Sequence, residues 1–137
     1  MSTIAIPTSS TKFGVSRVTV GRGLSVLAVL FLAFDTVIKF TSMPAVAESM
    51  TQLGYPMSSV VAIGILELVC LVVYLVPRTS VLGAVILTGY LGGAIASHFR
   101  VGNPLLSHVL FPIYIAALLW GGLYFRDTRV RAIISAR

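Results

Sequence analysis

Residues 24–40 read LSVLAVLFLAFDTVIKF, an apolar run that holds two charged side chains near its end. An apolar segment of about 18 to 20 residues can cross a bilayer as a helix. Asp35 and Lys39 are four positions apart, so a helix places them on one face, where they can pair. Because a pair is less costly inside a membrane than two isolated charges, the stretch predicts a membrane-spanning helix with a built-in ion pair.

The rest of the chain is as apolar as this run. Hydrophobic residues make up 57% of the 137 residues and charged residues only 10%, whereas a soluble protein has roughly 25% charged residues. Too few charges remain to cover a surface that faces water. We therefore predict an all-α integral membrane four-helix bundle, in which Pro112 kinks the last span, with spans at about 23–40, 57–76, 80–97 and 105–125.

The segments outside the spans predict a simple organisation. Residues 1–20 are expected to be a flexible cytoplasmic tail, 21–126 the bundle, and 127–137 a basic cytoplasmic tail. A signal peptide is the alternative, because residues 45–47 (AVA) resemble a small-residue cleavage site. The apolar core ends about ten residues too early for that reading, so an uncleaved first span is favoured.

Basic residues predict the orientation of the bundle. The formal net charge is +6, and the basic residues flank the spans, which indicates topology and lipid contact and excludes a nucleic-acid groove. Arg100 is the main basic residue of the loops on one side. The side opposite Arg100 carries Lys12, Arg17, Arg22, Arg78, Arg126, Arg129, Arg131 and Arg137. Because cytoplasmic loops are enriched in Lys and Arg, we expect this side, with both termini, to lie in the cytoplasm. We also expect a multi-pass protein of the inner cell membrane.

The loop between the first two spans has a helical pattern of its own. Pro44 suits a first helical turn, and Gly54 followed by Pro56 supplies an end. We predict a short interfacial helix in residues 41–56. It is either a surface strut or a lid over a cavity, and the strut is favoured.

Small residues recur at intervals of four along the third span. Gly89, Gly93 and Ser97 form one such row. This pattern lets helices approach closely, either inside the bundle or across a homodimer. Internal packing is favoured over a homodimer through Gly89 and Gly93.

Glu67 is the most informative polar residue, because it lies near mid-membrane without a basic residue one turn away on its own helix. It needs a partner on another helix or must be protonated. His98 and His108 bracket the loop on the same side of the membrane as Lys39. If these faces converge they form a polar pocket open to the outside, whose candidate ligand-binding residues are Asp35, Lys39, Glu67, Tyr90, His98 and His108. The alternative is a structural Asp35–Lys39 ion pair, a hydrogen bond of Glu67 to a backbone carbonyl or to Tyr90, and ordinary loop histidines.

The sequence contains no residue pattern typical of a redox centre or a metal site. Cys70 is the sole cysteine, which excludes an intrachain disulfide and a dithiol centre. The two histidines match no zinc spacing, so we predict neither a metal nor a cofactor.

Several short motifs together resemble those of the DoxX-like family of small four-span bacterial membrane proteins. They are Lys39-Phe40, Leu53-Gly54-Tyr55-Pro56, residues 64–68 (GILEL), residues 75–78 (LVPR), and Gly89-Tyr90 through His98 to Gly102. The resemblance implies a four-helix membrane bundle and marks Lys39, Glu67, Pro77 and His98 as family-pattern positions. It also implies an association with membrane redox complexes or stress responses in some relatives.

These observations favour an accessory subunit that binds a small ligand, a quinone or a lipid, and docks a redox-enzyme partner, without independent catalytic activity. One alternative is an intramembrane enzyme that uses Glu67 or Asp35 as an acid–base group. Another is a dimeric proton-coupled transporter of a small molecule.

Overall fold

Four apolar helices form the bundle in the computed structural model, which describes residues 15–136. Residues 1–14 of the predicted N-terminal tail and Arg137 of the predicted C-terminal tail lie outside the described residues. Residues 15–136 contain no strand. In chain order the elements are α1 (Arg17–Phe40), α2 (Pro44–Leu53), α3 (Ser59–Leu75), α4 (Ser80–Arg100), a π-helical segment (Leu105–Val109), α5 (Phe111–Arg126) and α6 (Thr128–Ser135).

The four long helices pack in a ring. α1 lies against α3 and α5, and α4 lies against the same two helices. Three helical segments are long and apolar enough to cross a membrane: Arg17–Phe40, Ser80–Arg100 and Leu105–Arg126. α3 is also apolar, and its 17 residues extend over about 25 Å at the usual rise per residue. The predicted all-α membrane bundle is confirmed.

The start of α1 and the end of α3 have local causes. α1 begins at Arg17, six residues before the predicted start at 23, because the Ser16 side chain accepts a hydrogen bond from the Val18 N–H and caps the helix. α3 ends at Leu75. Val76 is extended, as expected for a residue that precedes a proline.

The predicted span at 105–125 is not one kinked α-helix. Leu105–Val109 is wound as a π-helix, and α5 starts at Phe111 with Pro112 in its first turn. Proline has no N–H to donate and its ring crowds the preceding turn, so it is accommodated at the start of a helix. The irregular winding therefore lies before the proline.

The predicted C-terminal tail at 127–137 contains a helix. Asp127 caps α6 by accepting a hydrogen bond from the Arg129 N–H at 2.9 Å, and Val130 is buried against the bundle core. The Arg129 side chain also bonds the Asp127 carboxylate, which lowers the pKa of that carboxyl group below its usual range. α6 thus covers one end of the bundle.

The predicted interfacial helix is present as α2, which begins with Pro44 and ends at Leu53. Gly54 follows in the left-handed conformation with φ 75°, the backbone geometry that glycine adopts most readily at a helix C-terminus. We call the end of the bundle that carries α2 the α2 end. The opposite end, which carries residues 15 and 136, is the terminal end.

Candidate functional site

A cavity of about 920 Å³ opens at the α2 end, between α2 and the four bundle helices. This volume lies in the range of ligand pockets, which is about 300 to 1,000 Å³. Most of its wall is apolar and comes from side chains such as Phe31, Ile86 and Ile115. The polar part of the wall includes Asp35, Lys39, Tyr90, His98 and His108.

Lys39 links two carboxyl groups on one side of this cavity. Its Nζ donates to Asp35 Oδ2 one turn earlier on α1, and to Glu67 Oε2 on α3 at 2.9 Å. The Tyr90 hydroxyl on α4 donates to the same Glu67 oxygen at 3.3 Å. Three helices, α1, α3 and α4, are thereby joined at one carboxylate oxygen, Glu67 Oε2. An ammonium has three N–H donors, so one remains for a ligand.

The two carboxyl groups differ in their access to the cavity. The Glu67 side chain is 0% exposed, whereas the Asp35 side chain is 42% exposed and lies on the cavity wall. Glu67 holds Lys39 from behind, and its Oε1 has no hydrogen-bond partner among the described residues. Asp35 is therefore the carboxylate that a ligand would meet.

Two histidines, His98 and His108, meet edge to face at the mouth of the cavity, with ring centroids 5.6 Å apart. Gln52 Nε2 donates to Asn103 Oδ1 at 3.0 Å, which turns the Asn103 amide so that its Nδ2 donates to His98 Nδ1 at 2.7 Å. A neutral His98 must then carry its proton on Nε2. This leaves an N–H donor for a ligand. Within residues 15–136, no group of three or more His, Cys, Asp or Glu side chains is placed to hold a metal ion.

α2 covers the cavity and is held down by side chains of α4. Residues of α2 such as Val46 and Met50 line the cavity. Tyr55 Oη and Ser97 Oγ lie 2.8 Å apart, and the Arg100 guanidinium donates to the Leu53 carbonyl. The geometry is that of the lid alternative, and not of the strut that the sequence favoured.

The structure brings the sequence-predicted residues together. Five of the six candidates line the cavity, and Glu67 is joined to it through Lys39 and Tyr90. The predicted need of Glu67 for a partner on another helix is met by both. Their role in binding a ligand stays a prediction.

The small-residue row of α4 serves a different purpose from the one expected. Gly89 and Gly93 line the cavity, and a Cβ atom at either position would meet no atom within 4 Å. The interpretation as internal helix packing is therefore wrong for these two glycines. Their missing side chains leave room in the cavity.

Sequence reasoning missed part of the site. Tyr55, Ser97 and Asn103 make contacts across the mouth. No periodic pattern marks Tyr55 or Asn103, and Ser97 is marked only as a member of the small-residue row. Cys70 lines the cavity as well. Cys70 follows Glu67 by three positions and therefore lies on the same face of α3. That spacing was the sequence signal for its place beside the site.

The comparison with protein families gives one match. The family model described as the DoxX-like family matches residues 23–122. This segment includes α1 from Gly23 onward, α2, α3, α4, α5 up to Gly122, and every residue of the cavity wall. No curated protein and no solved structure matches the chain.

Proposed function

This chain belongs to the DoxX-like family, and on that premise we propose that it is an accessory membrane subunit that binds a quinone or a lipid. The ligand would occupy the cavity under α2, and the protein would serve a membrane redox or stress-response system. The observation that carries the proposal is the ion-paired Lys39 at the wall of a largely apolar cavity. A pocket of this kind suits an amphipathic molecule, because the apolar wall takes its body and a few polar groups orient its head.

A quinone fits the positions of the donors. It is a flat apolar ring whose two carbonyl oxygens accept hydrogen bonds. The free N–H of Lys39 and the Nε2–H of neutral His98 are donors on the wall and at the mouth. A lipid headgroup at the mouth would use the same donors, with an acyl chain in the apolar part.

A pair of matched variants tests the cavity. A Cβ atom at Gly89 meets no atom within 4 Å, so Gly89→Leu adds a side chain to the cavity, whereas Gly92→Leu makes the same change on the same helix outside the cavity wall. Mass spectrometry of the gently purified protein would measure bound lipid-soluble molecules and co-isolated subunits. We expect about tenfold less ligand on Gly89→Leu and unchanged ligand on Gly92→Leu.

Three results would contradict the proposal. One is a wild-type protein without a bound lipid-soluble molecule, and another is equal retention by both glycine variants. The third is a Lys39→Met variant with unchanged ligand occupancy, partner recovery and stress tolerance, because Lys39 is the donor on the cavity wall.

The intramembrane-enzyme alternative rests on one observation, the exposure of Asp35 beside Lys39 on the cavity wall. An acid–base group must reach the reacting atom, and Glu67 is sealed from the cavity. An enzyme would therefore lose turnover in Asp35→Asn while it still bound its substrate. An accessory subunit would have no turnover to lose.

A further inference from the structure

A second groove, of about 260 Å³, lies at the terminal end of the bundle between α1, α3 and α5. Its α1 residues lie within 22–30, whereas the cavity under α2 begins at Phe31 on that helix. The two spaces therefore occupy opposite halves of the bundle. The polar wall of the groove includes two arginines, Arg22 of α1 and Arg126 of α5.

Close backbone packing brings these two arginines together. A Cβ atom at Gly21 would lie 2.7 Å from the Gly122 carbonyl oxygen and 2.8 Å from the Arg126 backbone nitrogen. α1 and α5 can therefore touch here only because Gly21 has no side chain. Arg22, the next residue, is placed beside the end of α5.

The Arg126 guanidinium is oriented by an aromatic ring. Its Cζ lies 5.4 Å from the centroid of Tyr74, whose side chain is only 1% exposed. The Tyr74 hydroxyl donates to the Leu119 carbonyl at 3.1 Å and lies 2.9 Å from Ser25 Oγ, so the ring is fixed. A cation held over a ring face keeps its N–H groups available at its edge.

Neither arginine of the groove has an acidic partner among residues 15–136. The Nε–H of Arg126 is shielded from water and bonds no acceptor in the same residues. Two other arginines at this end are bonded. Arg129 donates to the Pro77 carbonyl at 2.9 Å and Arg131 to the Phe125 carbonyl at 2.8 Å. The groove thus holds two arginines without an acidic partner in the described residues, and the Nε–H of one of them, Arg126, has no acceptor there.

The other wall of the groove is apolar and exposed. Val26, Leu30 and Leu75 are each more than half exposed on the faces of α1 and α3 that a membrane would cover. We propose that this groove binds an anionic phospholipid. The two guanidinium groups would hold its phosphate headgroup, and one acyl chain would lie along the apolar wall. The site is separate from the proposed ligand cavity and does not depend on it.

Native mass spectrometry of the full-length protein tests the groove with two lipids of identical acyl chains. Phosphatidylglycerol carries a net negative charge, and phosphatidylcholine does not. We expect wild type to retain phosphatidylglycerol preferentially, and Arg22→Gln and Arg126→Gln each to bind it about fivefold more weakly. Arg78→Gln is the matched control, because Arg78 is exposed at the same end and lies outside the groove wall.

The results distinguish a specific lipid site in the groove from general attraction of anionic lipid to the basic end of the bundle. Equal weakening by Arg78→Gln would overturn the site, as would the absence of a preference for phosphatidylglycerol. Displacement of the lipid by inorganic phosphate at equal concentration would also overturn it, because the acyl chain would then add no affinity. If Arg126→Gln fails to fold, Arg22→Gln decides alone, since Arg22 is exposed and its side chain makes no hydrogen bond within residues 15–136.

Discussion

Lys39 forms ion pairs with Asp35 and Glu67, and the second of these connects α1 to α3 at the cavity wall. It is a single ammonium between two carboxyl groups, with its side chain 16% exposed and Glu67 wholly buried behind it. Removing one partner of a buried ion pair costs more than the pair contributes, because the remaining charge is left without compensation. The two ends of the Lys39–Glu67 contact should therefore respond differently to mutation.

We predict that Lys39→Met destabilises the protein strongly, by about 3 to 5 kcal/mol, because Glu67 loses its cationic partner in a buried site. Glu67→Gln should cost less. An amide oxygen can still accept hydrogen bonds from Lys39 and Tyr90, and Lys39 keeps Asp35. Thermal unfolding in one detergent, followed by circular dichroism, measures both variants.

The double variant Lys39→Met with Glu67→Gln distinguishes ion pairing from a simple packing effect. If the pair is what matters, the double variant should be more stable than Lys39→Met alone, since the uncompensated buried carboxylate is gone. Strictly additive losses would show that the two side chains contribute independently.

At the scale of a helix, the glycines of α4 have contrasting environments. A Cβ atom at Gly83 would lie 2.3 Å from the Tyr74 Cα and N atoms, so α3 and α4 touch there. A Cβ atom at Gly92 would meet no atom within 4 Å. The same residue type is thus required at one position and replaceable at the other.

Gly83→Ala should therefore lower the stability by about 1 to 3 kcal/mol, because the two backbones must move apart. Gly92→Ala should leave stability unchanged or raise it by up to about 1 kcal/mol, since alanine is the better helix former. Chemical unfolding in mixed micelles gives both values. Equal effects of the two substitutions would argue against close α3–α4 contact at Gly83.

α2 is attached to α4 by polar contacts, and Met50 is its one buried residue. Arg100→Gln removes the charged donor to the Leu53 carbonyl. We predict about tenfold faster hydrogen exchange in α2, since a bond to a charged group is worth about 1.5 kcal/mol or more. The core of α4 should exchange as before.

Arg131→Gln is a suitable control for this experiment, because Arg131 also bonds a helix-end carbonyl, that of Phe125, but at the terminal end. Exchange in α2 that is unchanged by Arg100→Gln would mean that α2 is held by other contacts.

How much of these elements could be predicted depends on whether the cause lies within one helix. The Asp35–Lys39 pair follows from an i, i+4 spacing, and α2 follows from its own proline, apolar pattern and glycine. The sequence pattern marks Gly89 and not Gly83 as a packing position, whereas the neighbouring helix decides that Gly83 packs and Gly89 lines a cavity.

The same limit applies to the site. The sequence predicted that Glu67 needs a partner on another helix, yet the identity of Lys39 as that partner depends on the rotation of α1 against α3. α6 had a local signal, Asp127 before a short helical pattern, but its basic residues also fit a tail.

For the whole molecule, charge separates the two ends of the bundle. The described basic residues at the α2 end are Lys39 and Arg100, and Lys39 is neutralised within the protein. The terminal end carries the others: Arg17, Arg22, Arg78, Arg126, Arg129 and Arg131. Positive charge resists transfer across the membrane, so this end is expected to remain in the cytoplasm and the cavity to open on the opposite side.

Cysteine labelling in intact cells tests this orientation. Cys70 is the sole cysteine, so Cys70→Ala provides a background without thiols. Ser42→Cys then places an exposed thiol between α1 and α2, and Ser135→Cys places one at the end of α6. A membrane-impermeant maleimide should label position 42 in intact cells, and position 135 only after permeabilisation. Labelling of position 135 in intact cells would mean that the bundle has the reverse orientation and that the cavity opens toward the cytoplasm.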